Sequence, residues 1–228
     1  MKTQDVREHF RVQVPDYPGL MRRLIPLYDE QRALMRALIP FERDAALRVL
    51  DLGCGPGLMA ADILAEFPHA VVTLFDLTAE MIEVCRSRLG GSGRVAYRVG
   101  DFRTNDFGDG YDVIIASLSL HHLERSERPA FFRRAHRSLS AGGHLIAAEV
   151  IVDESPAVRE RQYELWRQYM IAQGEDGTAW FQKHLARDHP VEISAPPSEE
   201  DLDLDRDIEY AFETEEPMSA RPPAGDIE

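Results

Sequence analysis

Residues 49–64, VLDLGCGPGLMAADIL, place glycine at 53, 55 and 57, directly after a strand-forming run and directly before a helical pattern. Glycine costs conformational entropy wherever it sits, so three in five residues mean a turn that needs positive φ or a backbone that something approaches closely. Around this stretch, residues 47–53, 70–77, 94–101, 111–120 and 143–152 read as five strands. The first, second, fourth and fifth contain near-continuous apolar runs, as expected of parallel strands covered on both faces. Helical patterns fall between them at 58–67, 78–89 and 128–139, the last ahead of the turn SAGG. The alternation implies an α/β fold, a doubly wound, mainly parallel sheet with helices on both faces. The glycines then lie at the C-terminal end of the first strand, where such sheets bind ligands at the topological switch point.

The rest of the 228 residues divide around that core. Residues 1–45 read as an N-terminal helical cap of two short helices broken at Pro26 and Pro40, and 46–152 as the α/β core. Residues 153–189 read as a helical lid opening with Ser155 as N-cap and Pro156 at the first helical position, with Gly174 as a stop. From Pro190 to Glu228 stand 13 acidic residues against Arg206 and Arg221, a net charge of −11 out of −14 for the chain. This acidic, proline-rich segment is expected to be partly disordered. The nearly neutral remainder shows no electrostatic footprint for nucleic acid. No apolar run approaches a membrane span and the N-terminus lacks a signal-peptide core, so the expected address is the cytoplasm. Cys54 and Cys85, the only cysteines, fit a reducing compartment and read as buried thiols.

A dinucleotide fingerprint would need a third glycine where Leu58 stands, which argues against NAD. VLDLGCGPG instead closely resembles the first motif of the class I (Rossmann-like) S-adenosylmethionine (SAM) methyltransferases, and the resemblance extends over roughly residues 12–152. It implies SAM as cofactor, with Asp51 and the loop of Gly53, Cys54, Gly55 and Gly57 under its methionine part. Asp76, 19 residues past Gly57 and followed by Leu77, matches the acid that takes the two ribose hydroxyls. VGDF offers Asp101 for the adenine amino group and Phe102 to pack the ring. SLSLHHL resembles the loop of the small-molecule methyltransferases, with Ser117 by the cofactor and the residues near His121 facing the acceptor. In that family a helix like the one after Ser155 and the N-terminal helices roof the acceptor pocket, which makes Tyr17, Tyr28, Trp166 and Met170 candidates to touch substrate.

Each position also has a purely structural reading. Asp51 can cap the turn, Asp76 can be a helix N-cap, Asp101 can be one of several solvated loop acids, and Phe102 can belong to the core. Cys54 reads as a small filler beneath the loop. Methyl transfer to a hydroxyl needs the acceptor's proton removed, and histidine is best matched to that at neutral pH, so His121 and His122 are the candidate catalytic residues. Glu149, a lone acid in an apolar strand, is the second candidate, against the alternative of a solvent-facing strand end. The aromatic stripe of the cap is equally the pattern of ordinary core. No HExxH or cysteine set calls for a catalytic metal.

The sequence thus points to a SAM-dependent methyltransferase with a small-molecule acceptor, without nucleic-acid or membrane partners. Three rivals remain: a SAM-modifying enzyme resembling carboxy-SAM synthase, whose N-terminal region carries a VPxY-like approach as at 14–17; a SAM-binding protein without turnover; and a nucleotide-dependent reductase, disfavoured by Leu58. The family's sheet normally ends in an antiparallel pair beyond strand five, which this chain shows only as absent or degenerate. We therefore expect residues 207–212, DIEYAF, to pair as one degenerate strand or a second copy to cover the edge as a homodimer, with 217–228 mobile.

Overall fold

The computed structural model describes residues 17–91, 93–179 and 191–193. Two short helices, α1 (Tyr17–Leu24) and α2 (Tyr28–Ala37), precede the sheet. They break at Pro26, after which Leu27 turns into the left-handed region at φ 55°. The sheet is built from β1 (Arg48–Leu52), β2 (Val71–Asp76), β3 (Val95–Val99), β4 (Tyr111–Ser117) and β5 (Leu139–Ala148) in the order β3-β2-β1-β4-β5. Every ladder between them is parallel. The crossovers carry α3 (Leu58–Glu66), α4 (Ala79–Leu89) and α5 (Arg128–Ser138). Because β1 lies between β2 and β4, the winding reverses at its C-terminal end, and the glycine loop stands at that crevice.

Strand alternation explains the apolar runs. Val49, Val72, Leu74, Val113 and Ile115 face one side, where they pack with Met59, Ile63, Ile82 and Cys85. Leu50, Leu52, Phe75 and Ile114 face the other, against Phe107, Phe131 and Ala135. Phe131 is 1% exposed and its ring lies 5.6 Å from Phe102 and 6.3 Å from Phe107. Phe131→Ala is expected to cost about 3–5 kcal/mol, read as a lowered midpoint in urea unfolding. A loss below about 1 kcal/mol would contradict tight packing on this face.

Three local expectations are corrected. Strand five begins at Leu139, four residues before the expected Gly143, because the SAGG turn lies inside the strand as an irregularity. Leu139 pairs with Tyr111, the register shifts before Val113, Gly142 takes φ 77°, and Ser140 Oγ donates to Asp112 Oδ1 at 2.8 Å. The strand also ends early: β5 stops at Ala148, and β6 (Ile151–Asp153) joins β7 (Val191–Ile193) in a separate two-stranded sheet. Finally, Ser155 caps α6 (Pro156–Ala172) without a side-chain hydrogen bond; its own N–H donates instead to Asp153 Oδ1 at 2.7 Å. Pro156 at the first helical position and Gly174 at φ 83° stand as read from the sequence.

The chain divides into one unit of Met1–Glu192 and a second of Ile193–Glu228. The expected strand at 207–212 and the expected mobile end at 217–228 lie outside the described residues. Among the described residues, no strand pairs with the outer edge of β5, and no helix is long and apolar enough to cross a membrane.

Candidate active site

The glycine loop begins where Leu52 ends β1. Gly53 has φ 70°, and a Cβ on it would fall 2.5 Å from Ser119 Cβ, so both its conformation and its space exclude a side chain. Gly57, at φ 75°, is the N-cap of α3, and a Cβ there would meet Cys85 Sγ at 3.0 Å. Cys54 is buried under the loop, its Sγ 3.9 Å from that of Cys85, which donates to Gly55 O at 3.1 Å. Burial pushes the Cys54 thiol up, away from the thiolate form that a nucleophile needs.

Two buried carboxylates bracket this loop. Asp51 is 1% exposed on β1, faces α3 where the Ala60 N–H reaches it, and leaves Oδ2 buried without a hydrogen-bond partner. Asp76, 8% exposed at the end of β2, accepts from Gly55 N on Oδ2 and from Thr78 N and Oγ1 on Oδ1, each at 2.9 Å. It is not itself the N-cap of α4: that is Thr78, whose Oγ1 accepts from Met81 N, and Asp76 holds Thr78 in place. Oδ1 is taken from two sides by Thr78, Oδ2 accepts from Gly55 N, and the Leu77 N–H also reaches the carboxyl. Burial raises both carboxyls. Asp51 is pushed from 3.8 to about 7 by burial and by the Asp76 charge, against the Ala60 N–H and Arg32, which pull it down.

A carboxyl raised on folding stabilises the fold below its unfolded value, and that contribution is lost as pH rises through the folded value. The ligand-free protein is therefore expected to lose up to about 4 kcal/mol between about pH 4 and pH 7 on account of Asp51. Asp51→Asn removes most of that loss. Urea unfolding at pH 5 and pH 8 checks it, and an equal pH dependence in both proteins would contradict the assignment.

After Ser117 the chain turns at Leu118, φ 53°, whose N–H donates to Ala148 O, and enters a 3-10 turn, Leu120–His122. Ser119 Oγ donates to Leu52 O at 2.9 Å, which presses the turn against Gly53. Glu149 gathers the other side: Oε1 accepts from Ser119 N and Leu120 N, and Oε2 from His121 N and Nδ1, at 2.7 to 3.1 Å. His121 is buried at 7% exposure, while His122, its ring 4.2 Å away, lines the cleft.

The cleft is lined by Gly53, Gly55, Asp76, Leu77, Asp101, Phe102, Ser117 and His122, with Tyr17 over the loop. Its free volume is about 80 Å³, below the several hundred cubic ångströms typical of a ligand pocket. Tyr17 is the side chain that stands over Gly55, its hydroxyl 3.9 Å from where a Cβ would be. Asp101 is held by Arg103, whose Nη2 donates to Oδ2 at 2.7 Å and whose Nε donates to Oδ1 at 2.9 Å. A ligand amino group would share Asp101 with that guanidinium. Tyr28 and Met170 are buried in a separate apolar cluster with Leu24 and Ile25, against which Trp166 packs with its Nε1–H on Leu24 O. These three are packed cap residues, and Leu118 joins that cluster to the cleft. Sequence reading passed over Thr78, Met81, Arg103, Leu118 and Ser119, all of which line the cleft. Their signal was only adjacency to Asp76, Asp101 and Ser117.

Comparison with known proteins agrees with this geometry. Residues 49–143 match the family model described as "Methyltransferase domain". The malonyl-[acyl-carrier protein] O-methyltransferase of Halalkalibacterium halodurans is 29% identical over 133 residues, 54% of this chain and 46% of that protein. The carboxy-S-adenosyl-L-methionine synthase of Campylobacter fetus subsp. fetus is 24% identical over 159 residues, 69% of this chain and 68% of that protein. The chain thus spans about half the length of the first relative and two thirds of the second. Among solved structures, the DhpI-SAM-HEP complex superposes with a TM-score of 0.55 at 20% identity, covering 70% of each chain, which shows a shared fold. With a parallel sheet wound about its glycine loop and a methyltransferase domain model matched over residues 49–143, the chain has the Rossmann-like fold of the class I S-adenosylmethionine-dependent methyltransferases and is similar to that family.

Proposed function

We propose that this chain is a SAM-dependent methyltransferase acting on a small organic acceptor in the cytoplasm. The observation that carries the reading is the pair of buried carboxylates, Asp51 and Asp76, on either side of a glycine loop, with Asp51 Oδ2 unpartnered. An unpartnered buried carboxylate oxygen is costly, and a site with two of these groups fits a ligand that brings a cation and hydroxyl donors. SAM offers both, and supplies when bound an electrophilic methyl carbon on a sulfonium.

The chain's own groups do the rest. Asp51 accepts from the ammonium end of the ligand, the bare backbone of Gly53 and Gly55 permits close approach, and Asp76 Oδ2 accepts a ribose hydroxyl. Phe102 packs the base and Asp101 accepts from its amino group alongside Arg103. His122, on the cleft wall, takes the proton of a hydroxyl acceptor, and the cleft holds that acceptor in line. The name of the O-methyltransferase relative supports an oxygen acceptor.

A second reading has support from the carboxy-SAM synthase relative. An added carboxylate would call for a cation, and among the described cleft-lining residues the only Arg or Lys is Arg103, already paired with Asp101. That favours methyl transfer. Homodimerisation over the outer edge of β5, which no strand among the described residues covers, belongs to the proposal too.

Calorimetry with SAM, S-adenosylhomocysteine (SAH) and NADH, followed by a screen of methyl-labelled SAM against metabolite pools, tests the reading. SAM and SAH are expected to bind and label to appear in a small product. Binding of NADH alone would overturn it, tight SAM binding without transfer would make the protein a carrier, and a carboxylated cofactor surviving purification would favour the second reading.

A further inference from the structure

Glu149 was a candidate base, but its hydrogen bonds rule that out. Its side chain is buried, and its two oxygens already accept four donors: the N–H groups of Ser119, Leu120 and His121, and His121 Nδ1. A carboxylate has about four lone-pair positions, so none remains for a substrate proton. Three successive N–H groups converging on one carboxylate form an anion-binding nest, and the fourth donor ties a side chain to it.

What those bonds hold is the turn that carries His122. Leu118 sits in the left-handed region, its N–H on Ala148 O, one residue before Glu149. Ser119 is fixed to Leu52 O on the opposite side and abuts Gly53. The segment between Ser117 and His122 is thus clamped between the ends of β1 and β5. Because an ionised carboxylate only accepts, Nδ1 of His121 carries the proton, so its tautomer is set by Glu149. That ring lies 4.2 Å from the ring of His122 and blocks it from one side.

We propose that Glu149 is a positioning residue: through the 119–121 nest and the His121 imidazole it fixes the orientation of His122 in the cleft. This rests on the reading of His122 as the proton acceptor, and explains why an acid stands alone at the end of an apolar strand. Glutamine at 149 keeps the size but offers one acceptor oxygen and sets an amide N–H₂ against two donors. Asparagine at 121 places an amide N–H near the position of Nδ1 and preserves the bond, whereas alanine removes it.

The test is histidine side-chain ¹⁵N NMR on the full chain with saturating SAH, together with steady-state methyl transfer. In the wild type His121 is expected as the Nδ1–H tautomer. Glu149→Gln and His121→Ala are expected to displace the His122 ring resonances and to lower kcat about tenfold or more, with KM for SAM within about threefold. His121→Asn is expected to restore both toward wild type. Unchanged His122 resonances in His121→Ala, or no recovery in His121→Asn, would overturn the proposal. Should Glu149→Gln fail to fold, the two His121 variants decide alone. The NMR result needs no acceptor, and SAH binding is scored separately by calorimetry, so failure here is distinct from failure of the methyltransferase reading.

Discussion

Asp76→Ala is expected to weaken SAM binding between about 100-fold and 1,000-fold. A carboxylate bond to a ribose hydroxyl is charge-assisted, at about 1.5–3 kcal/mol. The substitution also strips Gly55 N and Thr78 N of their acceptor, which loosens the glycine loop and the first turn of α4 together. A combined loss of about 3–4 kcal/mol corresponds to that range. Removing Asp76 also relieves its repulsion of Asp51, so stability without ligand should fall less than affinity. Calorimetric titration with SAM and SAH measures the effect, and a change within threefold would mean that Asp76 serves the loop alone.

His122→Ala is expected to lower methyl transfer by about 10² to 10⁴, the usual worth of a positioned general base, while SAH affinity stays within about threefold. The expected split between turnover and binding follows from the structure. His122 lines the cleft after β4, whereas Asp51 and Asp76, the residues proposed to take the ligand's cation and ribose, lie toward the ends of β1 and β2. His121→Ala should show a smaller turnover loss. If both variants retain wild-type turnover, the acceptor loses its proton to solvent or has none to lose, and the chemistry rests on alignment.

The parts of this fold legible in the sequence are those dictated by short-range pattern. Apolar runs bounded by turns marked four of the five strands, and Gly53, Gly55 and Gly57 marked the loop because positive φ has few other solutions. Asp76 was found through the resemblance to the methyltransferase family, at a distance from Gly57 that suits one helix and one strand. What escaped depends on contacts across the sheet. The SAGG sequence reads as a turn in isolation, yet Ser140 bonds to Tyr111 O and Asp112 and draws it into β5. Asp101 looked like a ligand acceptor, and nothing in the order Asp-Phe-Arg reveals that Arg103 folds back onto it. Glu149 was visible as an anomaly in an apolar strand. Its partners, some 30 residues earlier, were not, because parallel pairing of β4 with β5 brings them together.

The contact between Gly53 and Ser119 bears on how such a protein can be re-engineered. With Ser119 Cβ filling the space where a side chain on Gly53 would go, the cofactor loop and the histidine turn are one interlocked part, and random substitution in either should mostly yield inactive protein. Diversity for new acceptors belongs instead on α1, α2 and α6, where Leu24, Tyr28, Trp166 and Met170 meet Leu118 through apolar packing alone or nearly so. Such packing accepts volume-conserving apolar swaps far more readily than hydrogen-bonded turns accept substitution. A library confined to those positions should retain cofactor binding in most members, and its survivors would report which cap residues the acceptor reaches.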